Sequence, residues 1–255
     1  MEDLIRQKIS FQQPLIMSWH GLGSPLSIEI AGKAGYHAAL LDHQHGLGGI
    51  DELMSCIVAA DNAQLPSFVR TGWNDPYLIT QALDAGAQGI VCPMINTADE
   101  ARALVEATKY PPLGSRSFGA YRAQLIHGPE YIERANDWTI TCAQIETKMA
   151  VDNLTQILAV RGLDMILVGP NDLALSLSEG TSRDIRDIAV LEILPQILQA
   201  CRETDVIAGI YANDADYGKI LIEMGWDVIG LGYDIQLIEN GMKQNLEAIQ
   251  TPRFK

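Results

Sequence analysis

The sequence is short of basic residues: 18 Lys and Arg stand against 32 Asp and Glu, for a formal net charge of −14. A strongly acidic surface repels phosphate backbones and anionic lipid headgroups, so neither nucleic acid nor a membrane surface is expected as a partner. Cysteine is scarce and unpaired. Cys56, Cys92, Cys142 and Cys201 are spread along the chain without a CxxC pair. That spacing suits neither a disulfide framework nor a zinc site; it fits buried thiols in a reducing compartment, and a cytoplasmic location is expected. No run approaches the roughly 20 apolar residues of a membrane span. The charged opening Met-Glu-Asp-Leu-Ile-Arg-Gln-Lys has no apolar signal region. A GxGxxG after the first apolar run is also missing, which removes the usual dinucleotide fingerprint.

What remains is an ordinary globular composition: 255 residues, 47% of them hydrophobic, with a mean hydropathy of +0.05. Short apolar runs alternate with helical patterns from end to end. Strands are expected near 14–18, 38–42, 67–70, 89–93, 139–145, 165–168, 206–210 and 228–231. Helices are expected at 24–34, 49–61, 75–84, 97–108, 147–158, just after Pro170, and at 185–203, 215–223 and 234–249. Each strand is apolar throughout rather than alternating, as when both faces of a parallel sheet are covered. Gly35, Gly86, Gly162 and Gly225 stand where helices end before the next strand. Eight strand–helix units in about 250 residues predict one α/β domain spanning 1–255, a (β/α)₈ TIM barrel. An open doubly wound sheet is the alternative. One connection, 109–136, is long and contains Arg116 and Arg122.

In such a barrel, chemistry gathers at the C-terminal ends of the strands. Those ends carry Asp42, His43, Gln44 and His45 after the second strand, and Arg70 at the end of the third. Gln144 and Glu146 close the fifth, and Gly169-Pro170-Asn171-Asp172 follows the sixth. Glu146 and Asp172 lie one unit apart, so adjacent strands bring two hard oxygen ligands together, a set that suits magnesium or manganese. Helix capping by the same two carboxylates is the competing reading. Asp42 and His45 have the spacing of a carboxylate–imidazole pair. Arg70 suits a substrate carboxylate or enolate, or an ion pair with one of the barrel's acids. The helix opening at Asn171 and Asp172 offers backbone N–H groups to an anion, although Gly-Pro by itself marks only a turn. None of the seven lysines falls at a strand end, which argues against Schiff-base chemistry.

Several segments carry a family likeness. They are Leu-Leu-Asp-His-Gln-His-Gly (40–46), Phe-Val-Arg-Thr-Gly-Trp-Asn-Asp-Pro (68–76) and Gly-Ile-Val-Cys-Pro-Met-Ile-Asn-Thr-Ala-Asp-Glu-Ala (89–101). With them go Tyr-Pro-Pro-Leu-Gly-Ser-Arg-Ser (110–117), Gln-Ile-Glu-Thr (144–147) and Val-Gly-Pro-Asn-Asp-Leu-Ala (168–174). In this order they resemble the HpcH/HpaI aldolase/citrate lyase family over nearly the whole chain. The resemblance implies a phosphoenolpyruvate/pyruvate-type barrel and a class II aldolase that uses Mg2+, Mn2+ or Co2+. Such an enzyme cleaves a 4-hydroxy-2-oxo acid reversibly to pyruvate and an aldehyde.

Carried across by position, the resemblance makes Glu146 and Asp172 the metal ligands and His45 the acid/base, supported by Asp42. Arg70 faces the reacting oxygen, Gln144 contacts pyruvate, and the backbone around Asn171 and Asp172 holds its carboxylate. It also implies a homo-oligomer, a hexamer built as a trimer of dimers, with C-terminal helices exchanged between subunits. Two positions depart from the family pattern. Gln44 stands where many members have Glu, and Ser117 replaces a glycine in a loop near the family's aldehyde entrance. A CoA-ester lyase of the citrate lyase β type and a non-catalytic barrel scaffold are the alternatives. The CoA-ester lyase would need a basic groove that the acidic chain does not show, and the scaffold would leave the polar strand ends unexplained.

Overall fold

A computed structural model describes residues 14–249; the charged N-terminal stretch and the last residues, 250–255, lie outside the described residues. Eight parallel strands lie in sequence order: β1 (Leu15–His20), β2 (Ala38–Asp42), β3 (Ser67–Arg70), β4 (Gly89–Cys92), β5 (Ile140–Ile145), β6 (Met165–Val168), β7 (Ile207–Ala212) and β8 (Val228–Tyr233). β8 pairs back onto β1, with Leu15 beside Val228 and Met17 beside Gly230, so the sheet is a closed barrel and the open alternative is excluded. No helix among the described residues is long and apolar enough to cross a membrane.

The two-residue period of each strand decides what faces the axis. Leu15, Met17 and Trp19 pack inside the barrel with Leu40, Phe68, Val91, Cys142, Met165 and Leu167. The intervening Leu41, Val69, Ile90, Ala143, Ile145, Ile166 and Val168 pack outward in the sheath of helices. Gly89 is required for space: a Cβ there would fall 2.2 Å from the Phe68 ring. The same alternation continues above the apolar core. Asp42 comes two residues after Leu40, Arg70 two after Phe68, Gln144 two after Cys142, and Glu146 two after Gln144. The polar groups at the mouth are therefore the next inward layer of the same pleat.

Local signals hold the helices in place. Thr97 accepts the Glu100 N–H at 3.2 Å while Glu100 accepts the Thr97 N–H at 2.9 Å, closing a capping box on Ala98–Thr108. Asp75 caps Pro76–Asp84 through the Tyr77 N–H at 2.8 Å. Gly225 ends Ala215–Met224 at φ 98°, a left-handed conformation that a side chain would strain.

Some boundaries differ from expectation. The helix expected at 147–158 breaks into Lys148–Asp152 and Leu154–Leu158. At the break, Asn153 donates its amide to the Asn96 carbonyl at 2.9 Å. The helix expected from 185 begins at Ile188, where Asp187 caps it through the Ala189 N–H. The long connection contains two helices, Tyr121–His127 and Tyr131–Trp138, around a small core of Tyr110, Ala120, Ala123, Tyr131 and Ala135. It joins a helix to β5, so within this chain it lies at the end of the barrel opposite the mouth. Its arginines are bound to the chain's own acids, Arg116 to Asp84 and Arg122 to Asp61, each at 2.8 Å.

Lys109 pins that end of the barrel. Its fully buried ammonium donates to Thr139 O at 2.6 Å, Asp164 Oδ2 at 2.7 Å and Asn136 O at 2.8 Å. Asp164 also accepts the Thr141 N–H at 2.8 Å, which ties β5 to the same group. Removing the ammonium takes the buried cation from Asp164 and the donor from the Thr139 and Asn136 carbonyls, at a cost of about 3–5 kcal/mol. Lys109→Met is expected to lose that much stability in urea unfolding, whereas exposed Lys219→Met should change it by less than about 0.5 kcal/mol.

Candidate active site

The barrel mouth encloses a cavity of about 310 Å³ bordered by Asp42, His45, Arg70, Gln144, Asn171 and Asp172, with Gly169 and Pro170 between them. Six of the seven residues expected from the sequence therefore share one space. Glu146, the seventh, is linked to it through Gln144, whose Nε2 donates to Glu146 Oε2.

Asp42 and Arg70 form the rigid part. The guanidinium donates from Nε to Oδ1 at 2.9 Å and from an NH2 nitrogen to Oδ2 at 2.6 Å, a two-point match with both side chains almost fully enclosed. Trp19 Nε1 donates to Oδ2 at 3.3 Å, and the guanidinium lies 4.8 Å above the Trp19 ring. Burial pushes the Asp42 carboxyl upward, but the Arg70 contact, with the His45 and Trp19 N–H groups, outweighs it and holds the group below the usual carboxylate range. The contact with His45 differs from the expected dyad. Asp42 Oδ1 accepts the backbone N–H of His45 at 3.2 Å and that of Gln44 at 3.1 Å. Asp42 thus shapes the turn that carries His45 to the rim. His43, on the same turn, borders a separate small recess with His20 and Leu53.

Across the cavity, Glu146 directly follows β5 and Asp172 lies in the first turn of helix Pro170–Leu177 after β6. Glu146 is buried, and its Oε1 accepts the Met94 N–H at 2.8 Å. Met94 holds a left-handed φ of 56° to make that contact, a strained backbone at the end of β4. Burial, then the charge of Asp172, pushes the Glu146 carboxyl up to about 7 against the opposing Met94, Arg70 and Gln144 contacts. Gly169 makes room for this arrangement: a Cβ there would fall 2.6 Å from Glu146 Oε2 and 2.8 Å from Gln144 Nε2.

These residues fit a divalent cation. Glu146 is buried with the charge of Asp172 nearby, and both effects raise its proton affinity, a conflict that a cation resolves. Gln144 Oε1 is also buried without a partner, so an acceptor at the same place is left for a ligand. Among the described residues no cluster of three or more His, Cys, Asp or Glu surrounds a common point, so protein carboxylates would fill only part of the shell, as is usual for magnesium. Asn171 turns its side-chain amide to the Arg183 carbonyl at 3.3 Å, which leaves its backbone N–H as its contribution to the cavity.

The cavity is completed by Trp19, Tyr211, Asn213, Tyr233 and Gln236, none of which the strand-end reading identified. Three of the strands run one or two residues past their apolar runs. β1 reaches His20, β7 reaches Ala212 and β8 reaches Tyr233, so Trp19, Tyr211 and Tyr233 fall inside them. Continuing the inward parity from Met17 to Trp19 was the signal available.

Comparison with known proteins bears on the family and the fold. Residues 15–241 match the family described as HpcH/HpaI aldolase/citrate lyase. The hydroxypyruvate/pyruvate aldolase of Rhizorhabdus wittichii is 31% identical over 232 residues, covering 91% of this chain and 92% of that protein. The 4-hydroxy-2-oxo-heptane-1,7-dioate aldolase of Escherichia coli is 33% identical over 241 residues, covering 93% and 91%. The crystal structure of an HpcH/HpaI aldolase/citrate lyase family protein from Burkholderia cenocepacia superimposes with a TM-score of 0.90 at 30% identity, over 98% of this chain and all of that one. With the barrel, the polar mouth and matches that run almost from end to end, the chain belongs to the HpcH/HpaI aldolase/citrate lyase family.

Proposed function

We propose that this chain is a divalent-metal-dependent pyruvate aldolase, cleaving a 4-hydroxy-2-oxo acid to pyruvate and an aldehyde and catalysing the reverse addition. One observation carries the reading: a carboxylate pair, an anchored arginine and a rim histidine border or adjoin one cavity whose described lining contains no lysine. An imine mechanism has no amine there, whereas every group of a metal-assisted retro-aldol is present.

Glu146 and Asp172 would hold the cation, which when bound supplies Lewis-acid polarisation of the substrate's keto oxygen. The substrate carboxylate rests on the N–H groups of Asn171 and Asp172 at the start of helix Pro170–Leu177, where the first helical position is a proline. Gln144 contacts the pyruvate half from beside Glu146. His45 takes the proton of the C4 hydroxyl. The C3–C4 electron pair moves toward the C2 oxygen as the aldehyde departs, and Arg70 stabilises the enolate charge that develops. C3 then takes a proton, and pyruvate leaves. Asp42 acts through Arg70 and through the His45 turn, so it is a positioning residue.

The C-terminal helix Asp234–Ile249 supports an oligomer. Its apolar residues are not covered by its own barrel: Met242 is 64% exposed, Leu246 57% and Ile249 72%. Only Asp234, which accepts the Gly21 and Leu22 N–H groups, is buried. A second copy burying this face, in a hexamer built as a trimer of dimers with exchanged helices, accounts for it. Four buried free thiols suit a reducing cytoplasm.

Chelation should abolish pyruvate release from a 4-hydroxy-2-oxo acid, and borohydride with pyruvate should add no mass to the protein; a lysine adduct overturns the reading. His45→Ala should lower kcat by about 10²–10⁴ with little change in pyruvate affinity, while Glu146→Ala should weaken metal affinity in calorimetry. Gly169→Ala has no backbone obstacle at φ −94°. It should keep the fold by circular dichroism yet weaken metal binding, because the methyl displaces Glu146. Light scattering at micromolar concentration should give an oligomeric mass that Leu246→Asp lowers. A monomeric wild type removes the assembly reading.

A further inference from the structure

The carboxylate pair and Arg70 account for β3, β5 and β6, and the remaining wall comes from β7 and β8. Tyr211 is the last residue but one of β7 and is held edge-on to Trp19 with ring centroids 5.0 Å apart. Tyr233 ends β8 with its hydroxyl over Gly21, where a Cβ would fall 1.9 Å from it. Asn213 and Gln236 follow the two strands as exposed amides on the rim. Every group on this wall is a neutral hydrogen-bonding group. Burial pushes the Tyr211 phenol up to about 12 and raises that of Tyr233, so both stay protonated donors near neutral pH.

The charged groups of the mouth point the same way. Asp42, Glu146 and Asp172 are acidic, and among the described lining residues Arg70 and His45 are the only cationic or protonatable nitrogen groups. Arg70 already gives two donors to Asp42, and His45 is assigned to the C4 proton. With the cation on the carboxylate pair and His45 at the C4 hydroxyl, the aldehyde half would extend toward the neutral wall. A second carboxylate at its far end, as in the dioate of the E. coli relative's name, would enter an acidic mouth with no free cation on that wall.

Resting on the aldolase reading, we propose that the acceptor is a neutral hydroxyaldehyde whose hydroxyl groups are bound by Tyr211, Asn213, Tyr233 and Gln236. A hydroxyl both gives and takes a hydrogen bond, which amides and phenols match on either side. A polar wall built for such groups is left unpaired by an aliphatic chain, which is the stronger form of discrimination.

The test is aldol addition of pyruvate to glycolaldehyde, glyceraldehyde, propanal and succinic semialdehyde, with magnesium or manganese. The hydroxyaldehydes should exceed both propanal and the semialdehyde in kcat/KM by at least about tenfold, the scale of one or two unsatisfied polar groups. Gln236→Leu and Asn213→Leu should each lower the hydroxyaldehyde-to-propanal ratio about two- to tenfold, and either variant serves if the other fails to fold. Asn213→Arg should raise kcat/KM for the semialdehyde. A wild type that prefers the semialdehyde or propanal, or ratios unchanged in both leucine variants, overturns the proposal. Deuterium exchange at the pyruvate methyl group of the wild type separates the two readings. No exchange overturns the aldolase reading itself, whereas exchange together with a semialdehyde preference overturns the acceptor assignment alone.

Discussion

The mouth of the barrel depends on one buried ion pair. Asp42 and Arg70 meet across the β2–β3 boundary, where the two residues are register partners. Both of the carboxylate oxygens are engaged by the guanidinium. An enclosed charge is tolerable only when its hydrogen-bonding capacity is filled, and here the Trp19 indole and two backbone N–H groups complete the carboxylate. Each accessory contact does something else as well. The Trp19 contact sets the indole that Tyr211 packs against, and the backbone contacts set the turn carrying His45. Arg70 is thereby held at a fixed place facing the cavity, which is what stabilising a developing charge requires: the donor is in position before the charge appears, with no reorganisation left to do.

The opposite wall is organised by repulsion. Glu146 is buried near Asp172 and is drawn into place by the strained Met94 N–H and the Gln144 amide. Without a cation this arrangement costs energy, as the raised proton affinity of Glu146 shows. Gly169 permits it by leaving out one methyl group. A site assembled at such a cost, with an unpartnered Gln144 oxygen beside it, is organised around a ligand that the chain itself does not supply. The apolar C-terminal helix is a similar case on a larger scale. It is rooted just after β1 through Asp234 and leaves its Met and Leu side chains exposed.

The likeness to known aldolases bears mainly on the pyruvate half. A relative named hydroxypyruvate/pyruvate aldolase and one named 4-hydroxy-2-oxo-heptane-1,7-dioate aldolase stand at nearly the same identity, 31% and 33%. Overall identity therefore does not choose between them, and the proposed acceptor assignment rests on the cavity residues around the ends of β7 and β8.

By itself the sequence determined the barrel, because eight apolar runs with helices between them and glycine-ended helices leave little other way to bury both faces of a parallel sheet. It also pointed to much of the lining of the candidate site. Asp42, Arg70, Gln144 and Glu146 interrupt or follow apolar strands, and a charge in that place has to face the mouth or go unpaired. What the sequence lacked was distance and direction. Asp42 and His45 are three residues apart, a spacing that suits a ring contact, yet the carboxylate reaches the backbone N–H because the turn folds back on it. Trp19, Tyr211 and Tyr233 were missed because an apolar run stops being visible where a strand enters a polar mouth. The long connection read as a loop because its apolar residues pack on one another rather than on the barrel. Only the closed barrel decided these points, since closure brings β8 beside β1 and turns residues from distant parts of the chain into neighbours around one cavity.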